Sequence, residues 1–353
     1  MDKLLYLLEC ICAISSPSGD EGGVTFFIKK LLSNYPNITI EQDVIGNLIV
    51  RKEGLSAKRI MFCAHCDEIG LSIKYIDESG FLRINTIGGV DLNSYRGHSV
   101  VINHLGNSIE GVIGIRPPHW AKKTDQPTLS NVGDLWVDIG ATSREEAMEL
   151  VSIGDTITFN PHFEILCNNT IVSKSIDNSV GVSILLYLIE ILKDLKTEVS
   201  ISFVFSVQEE IGLRGAVVAG YNEKPDLCIV VDVTHATDYP SVNKNAFGDI
   251  RIGKGPVIPI GSNVSRIVQS MFETIAENKS IPTQKESIPS NSGTDIAILQ
   301  LLNGGRPSGL ISIPCRYMHS DIEAVSQTDI ADTVEILKTL ITSYPNIARP
   351  EKL

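Results

Sequence analysis

A run of seven residues, Ile201 to Val207, is apolar or small and rich in β-branched and aromatic types. Over so short a length, that composition reads as a strand buried on both faces, which demands a sheet covered by helices on either side. The run stops abruptly at two adjacent carboxylates, Glu209 and Glu210, and a glycine-containing turn follows. In open α/β sheets, ligands bind in the crevice beyond the carboxyl ends of the strands. Two acids there, behind a strand too apolar to solvate them, need cations, protons or hydrogen-bond donors close by. Consecutive side chains on extended backbone point to opposite sides, so one acid can hold a metal while the other faces a water. A lone Glu-Glu pair more often marks a solvated acidic turn. The other strand ends decide between the two.

Arg59 to Ala64 is a short apolar strand that ends at His65, in RIMFCAHCDEIG. His65 can supply one nitrogen to a metal, and Asp67 can hold the other ring N–H and fix the tautomer. Alone, the pattern fits a satisfied core histidine at least as well. Cys63 and Cys66 flank that histidine as Cys-x-x-Cys. A zinc ribbon needs a second such pair, and a thioredoxin-like pair opens a helix, so both cysteines read as packing residues. Asp226 to Val231 is a further buried strand, ending at Asp232, and the loop after it carries His235 and Asp238. Gly309 to Ile313 is the last apolar strand, with His319 shortly beyond. Asp177 opens the apolar helix in SIDNSVGVSILLYLIEILKDL, where it fits a helix N-cap and a carboxylate bridging two cations equally well.

Collected, the strand ends offer His65, the Glu209–Glu210 pair, Asp232 and His319, with Asp177 at a helix start. Four strands thus deliver oxygen and imidazole donors to one edge of one sheet. Such a donor set without thiolates suits zinc, cobalt or manganese. Five ligands exceed the three that a catalytic zinc usually takes from protein. They suffice for two ions roughly 3.5–4 Å apart sharing a carboxylate.

The chain's 353 residues exceed what one core usually supports, which points to two domains. From Leu71 to about Phe163, short alternating segments between Gly, Asn and Asp turns read as a β-rich domain, barrel-like or sandwich-like, with one helix from Ser143 to Leu150. The expected division is an α/β domain over 1–70 and 164–353 with this domain, 71–163, inserted. Thr39 to Val50 reads as a hairpin turning near Gly46-Asn47, and helices are expected over Asn263 to Asn278 and Asp329 to Tyr344. His98, His104, His119 and His162 lie in the inserted part without ligand spacing; His119, in GIRPPHW, is the one placed to overhang a cleft. A formal net charge of −12 argues against a nucleic-acid role. Seven scattered cysteines form no disulfide framework and suggest a reducing cytoplasm. The N-terminal LLYLLECICAI is interrupted by Glu9 and has helical spacing, so it reads as an amphipathic helix rather than a signal peptide, and no stretch is long enough to span a membrane.

Taken together, the motifs PSGDEG (17–22), AHCDEIG (64–70), SIDNSVG (175–181), QEEIGLRGA (208–216), DVTHATDYP (232–240), IPTQ (281–284), SGTD (292–295) and IPCRYMHSDIE (313–323) resemble those of the tetrahedral (TET) aminopeptidase and glutamyl aminopeptidase family, some of whose members carry an endoglucanase label. The resemblance covers essentially the whole chain. It implies a zinc-exopeptidase-like α/β fold: a central mixed sheet flanked by helices, with the inserted β-rich domain mediating dimerisation. It further implies that Asp177 bridges two divalent ions, that His65 and Asp232 complete one site, and that Glu210 and His319 complete the other. Glu209 would be the general base and Asp67 would orient His65. Zinc or cobalt comes first, with manganese as a further candidate. Six dimers would form a hollow dodecamer acting on peptides. Asn178 and Ser179 stand where the family usually has an acid and an arginine, and Ser292 where a glycine is usual. The implied reaction is removal of N-terminal residues by a water activated between two metals. A carboxypeptidase or deacylase on the same framework differs in which substrate end it recognises. A scaffold that merely retains the fold would have lost a ligand or the base, and this chain has lost neither. A glycoside hydrolase would need two carboxylates flanking a sugar cleft, whereas here the acids come with two histidines.

Overall fold

The structure, a computed structural model, describes residues 1–114 and 132–344. Helices α1 (Asp2–Cys12) and α2 (Gly22–Leu32) lead into β1 (Thr39–Gln42), β2 (Leu48–Lys52) and β3 (Arg59–His65). A β-rich segment follows: β4 (Gly70–Ile76), β5 (Leu82–Ile87), β6 (Ser99–His104), β7 (Asn107–Ile113), β8 (Val137–Asp138), α3 (Arg144–Leu150) and β9 (Thr156–Phe159). Next come β10 (Phe163–Leu166), β11 (Thr170–Ser173), α4 (Ile176–Leu192), β12 (Ser200–Ser206), α5 (Arg214–Glu223), β13 (Leu227–His235) and α6 (Lys244–Phe247). The chain closes with β14 (Val257–Gly261), α7 (Arg266–Lys279), β15 (Gln284–Ile288), α8 (Ile296–Leu299), β16 (Ser308–Cys315), β17 (Glu323–Ser326) and α9 (Gln327–Ser343).

Every residue of β12 is buried, and the reason is its place in an eight-stranded sheet ordered β1-β2-β12-β3-β13-β16-β14-β15. The central strands β12, β3, β13 and β16 run parallel, while β2 joins β12 antiparallel and β14 joins β16 antiparallel. The sheet is therefore mixed, with its parallel part in the middle, where both faces need cover. Helices α1, α2, α4, α7 and α9 cover one face, and α5 and α8 the other. Phe62 on β3 stacks on Phe203 of β12 at 5.7 Å between ring centres. Helix α4 is apolar all round, as a helix wedged between a sheet and other helices must be. Its approach to β13 is close enough that a Cβ on Gly181 would meet the Val231 carbonyl oxygen at 2.8 Å.

Strands β4-β5-β8-β7-β6-β9 close into a small barrel, resolving the choice between barrel and sandwich. It has a core of its own, including Leu71, Leu82, Tyr95 and Ile157. Asp20, in the loop between α1 and α2, accepts hydrogen bonds from Asn103 and Thr156 of the barrel, both at 2.6 Å, and so ties it to the α/β part.

Sequence reading placed the long apolar elements but not β14, β15 or β17. Those strands are short, β14 carries Pro259, and β15 alternates between half-buried and exposed, so none has the unbroken apolar run of a central strand. It also ended the strand after Asp226 at Asp232, whereas β13 continues to His235 because β16 pairs with it as far as Cys315.

At the entry to α4, Lys174 is 1% exposed, and its Nζ lies 2.8 and 2.9 Å from the two Glu68 oxygens. Lys174→Ala leaves a buried carboxylate without its counter-charge. The expected cost is about 3–5 kcal/mol, read as a lower denaturant midpoint at unchanged slope.

Candidate metal centre

Because β12, β3, β13 and β16 are adjacent and parallel, their carboxyl ends open on the same edge. His65 is the last residue of β3, Glu209 and Glu210 follow β12, Asp232 lies near the end of β13, and His319 follows β16. Asp177 enters from the first turn of α4 with non-helical backbone angles, and its carboxylate turns into the centre toward His65 and His319. The structure brings all six together. Asp177 presents Oδ1 to His65 Nε2 at 3.1 Å and Oδ2 to His319 Nε2 at 3.4 Å. Asp232 Oδ1 lies 3.7 Å from His65 Nε2, and Glu210 Oε1 3.3 Å from His319 Nε2.

Both imidazoles are oriented from behind by main-chain carbonyls. His65 Nδ1 lies 3.0 Å from the Asp67 carbonyl oxygen, and His319 Nδ1 lies 2.8 Å from that of Gly89. With Nδ1–H donating there, each Nε2 is left facing Asp177 as the nitrogen that a metal would take in place of a proton. The carboxylate of Asp67 stands farther from His65, at 3.5 Å. It accepts instead from the Glu209 and Glu210 amides at 3.0 and 3.1 Å and from the Ser18 hydroxyl at 2.5 Å. Glu323 makes a matching clamp on the other side, accepting from the Asp177 amide at 2.8 Å and the His319 amide at 2.7 Å. Two buried carboxylates thus fix the backbone of four residues of the centre.

Sequence reasoning missed Glu323 and Gly89 in these roles. Glu323 sits in the IPCRYMHSDIE motif, four residues past His319, where an acid at that spacing was a usable signal. Gly89 acts through its backbone and carries none. A Cβ there would approach His319 Nδ1 to 3.2 Å, so the barrel meets the imidazole closely.

The electrostatics are those of a site short of positive charge. Burial pushes the Glu209 carboxyl up to about 10; His65 opposes this, while Asp295, Asp232 and Glu210 add to it. Glu210 and Asp232 are raised too, first by burial. Burial also pushes Asp177 up, but His319 and His65 outweigh it and hold that carboxyl well below its usual range. Burial works against a charged imidazole, yet Asp177 and Glu210 carry His319 up to about 11, and Glu209, Asp177, Asp232 and Asp67 hold His65 well above the ordinary value. Four buried acids against two imidazoles leave negative charge that divalent cations would neutralise. His65, Asp177 and Glu210 have donor atoms within 4.8 Å of one another, as do His65, Glu209 and Asp232. The donor set fits metal.

The chain matches the family described as M42 glutamyl aminopeptidase over residues 46–336. The chain belongs to this family. A provisionally named aminopeptidase of Acetivibrio thermocellus is 38% identical over 339 residues, covering 95% of this chain and 98% of that protein. Among solved structures, an aminopeptidase from the archaeon Desulfurococcus kamchatkensis superposes with a TM-score of 0.90 at 33% identity, over 100% of this chain and 99% of that one. The TET1 peptidase of Pyrococcus horikoshii, described as able to assemble into a tetrahedron or a large octahedral shell, gives 0.86 at 31% identity, covering 96% and 99%. As an M42 peptidase the protein is a metal-dependent aminopeptidase.

The positions that depart from the usual M42 pattern lie beside the centre. Asn178 donates to the Val231 carbonyl at 2.9 Å and accepts from the Gly181 amide at 3.0 Å. An ionised carboxylate could accept but not donate, so the amide suits this position between β13 and α4. Ser292 donates its amide to Asn263 Oδ1 at 2.6 Å. Cys63 and Cys66 are buried, and burial pushes both thiols well above the ordinary range, in keeping with packing residues. Asp238 forms a two-point pair with Arg316 at 2.7 and 2.6 Å, while His98 and His104 pair with Asp321 and Asp155. His119 falls outside the described residues. Among the described residues, no helix is long and apolar enough to cross a membrane.

Proposed function

We propose that the protein releases N-terminal residues from peptides at a dinuclear centre, with Asp177 bridging two divalent ions. His65 and Asp232 would hold one ion, and Glu210 and His319 the other. One observation carries the reading: a single carboxylate faces a different imidazole with each oxygen, and both imidazoles are locked with Nε2 toward it. One carboxylate serving two imidazoles suits two ions that share it. Zinc or cobalt suits the nitrogen and oxygen donors, with manganese next. Bound there, such ions polarise the scissile carbonyl and lower the pKa of the attacking water.

Glu209 is the residue to take that water's proton and return it to the departing amine. Its raised pKa makes it an avid acceptor, and cations beside it would bring it down toward the working pH. Glu210 is already engaged at His319, which leaves Glu209 as the free carboxylate. Asp67 sets the direction of both glutamates through their amides and the tautomer of His65 through its own carbonyl. Exposed Met148, Leu150 and Ile153 on the barrel support a role for it in self-association, toward the dodecamer implied by the family resemblance.

The test that separates this reading from a carboxypeptidase or deacylase uses pairs of peptides differing only at the N-terminus. Free-amino peptides should be shortened one residue at a time, and N-acetylated ones should not. Cleavage of the blocked set alone would point to the opposite polarity or to deacylation.

A further inference from the structure

We propose that Glu286 makes the cleft beside the metal centre selective for a basic N-terminal side chain, lysine or arginine. This deepens the aminopeptidase reading and rests on it. A cavity of about 440 Å³ runs from His65, Asp177, Glu209, Glu210, Asp232 and His319 to the edge strand β15. Its far wall is built by Thr234, Glu286, Ile288, Leu310, Ser312 and Met318. The sheet explains why these converge. Asp232 and Thr234 are two apart on β13, and Glu286 and Ile288 two apart on β15, so each pair shares a face.

Glu286 accepts a hydrogen bond from the Thr234 hydroxyl at 2.7 Å, which fixes the carboxylate in the wall. Its neighbour Lys285 turns to the other side of the strand and pairs with Glu273 at 2.8 Å. Among the described residues lining the cavity there is no lysine or arginine. Glu286 is therefore a half-buried anion whose only described side-chain partner is a neutral hydroxyl.

Distance agrees with charge. Thr234 lies two residues beyond Asp232, about 6.6 Å along the strand. A lysine side chain spans about 6 Å from Cα to its ammonium. A substrate whose scissile carbonyl sits among the metal ligands can thus lay its methylenes against Ile288, Leu310 and Met318 and set its charge on Glu286. A glutamyl side chain placed there would meet like charge with no lysine or arginine of the described lining to receive it.

The test compares kcat/KM for lysyl, arginyl, norleucyl and glutamyl anilides on the metal-loaded enzyme and on E286Q. Calorimetric binding of lysinamide and norleucinamide to both proteins runs in parallel. Lysyl and arginyl substrates should lead glutamyl by at least tenfold. E286Q should lower the lysyl-to-norleucyl ratio about 10- to 100-fold, the range of a charge-assisted hydrogen bond, and should erase the binding preference for lysinamide. A glutamyl rate matching the lysyl rate overturns the proposal. So does an E286Q that slows every substrate equally, which would make Glu286 a reader of the α-amine. If no anilide is hydrolysed while lysinamide still binds in a Glu286-dependent way, the aminopeptidase reading fails and the basic subsite stands.

Discussion

Glu209→Gln is expected to lower kcat by about 10²–10⁴-fold while the bound metal per chain stays unchanged. The substitution keeps the size and hydrogen-bonding outline of the side chain but removes its ability to take a proton. Glu209 is held by its own amide on Asp67, so the backbone of the turn should not move. The result to measure alongside turnover is metal content after dialysis. Glu209 also has a donor atom within 4.8 Å of donors on His65 and Asp232, close enough to serve as a ligand. If E209Q loses metal as well as activity, Glu209 is a ligand and the base must be sought elsewhere. A variant that retains near-normal kcat removes it from the chemistry altogether. Asp67→Asn is a weaker version of the same experiment, because it disturbs the clamp on both glutamates rather than the proton transfer itself.

What could be read from the chain before its fold was known divides along a physical line. Strands buried on both faces must be continuously apolar, and a carboxylate or histidine at the end of such a run has few reasons to be there. That is why His65, Glu209, Glu210 and His319 stood out. Asp177 was legible only as an ambiguity, since an N-cap and a bridging ligand have the same sequence; in the structure its carboxylate faces His65 and His319. Asp232 was found although β13 runs past it, because the break in apolar character survives even where the strand does not stop.

The parts that stayed hidden depend on groups that leave no mark. The Gly89 carbonyl behind His319 is backbone, and the Asp67 carbonyl does at His65 what its side chain was expected to do. Glu323 did leave a local signal, an acid four residues past His319, but its clamp joins amides from α4 and the loop after β16, and the 146 residues between Asp177 and Glu323 hide that convergence. The wall carrying Glu286 lies on β15, an edge strand too short and too polar to be distinguished from a loop. Edge strands with half-exposed faces obey weaker rules than central ones, and the specificity proposed for this cleft rests on one of them.

Removing the metal should cost both activity and stability, with a pH dependence whose sign the carboxylates dictate. In the metal-free protein Glu209 is raised from an ordinary value of 4.5 to about 10, and Glu210 and Asp232 are raised as well. A group raised in the folded state stabilises fully below its unfolded pKa and loses that contribution as pH climbs through the folded one. His319, raised to about 11, acts in the same sense above its ordinary 6.5. Asp177 acts oppositely, but its contribution is already complete above its ordinary 3.8 and changes little at higher pH. Between pH 5 and 9 the raised groups therefore dominate, and the chelated protein should melt at progressively lower temperature as pH rises. Divalent ions take the place of those protons, so zinc or cobalt should flatten the slope and raise the melting temperature, adding about 4 kcal/mol at a thousandfold excess over Kd. Asp177→Ala deletes the carboxylate that the two ions would share in the proposed dinuclear centre. Its loss of turnover should exceed that of E209Q, beyond about 10⁴-fold, and added ions should no longer raise its melting temperature. A variant that still binds two ions tightly would show that each site is complete without the bridge. A chelated protein whose stability rises with pH would mean that the buried acids are neutralised by some cation of the protein's own.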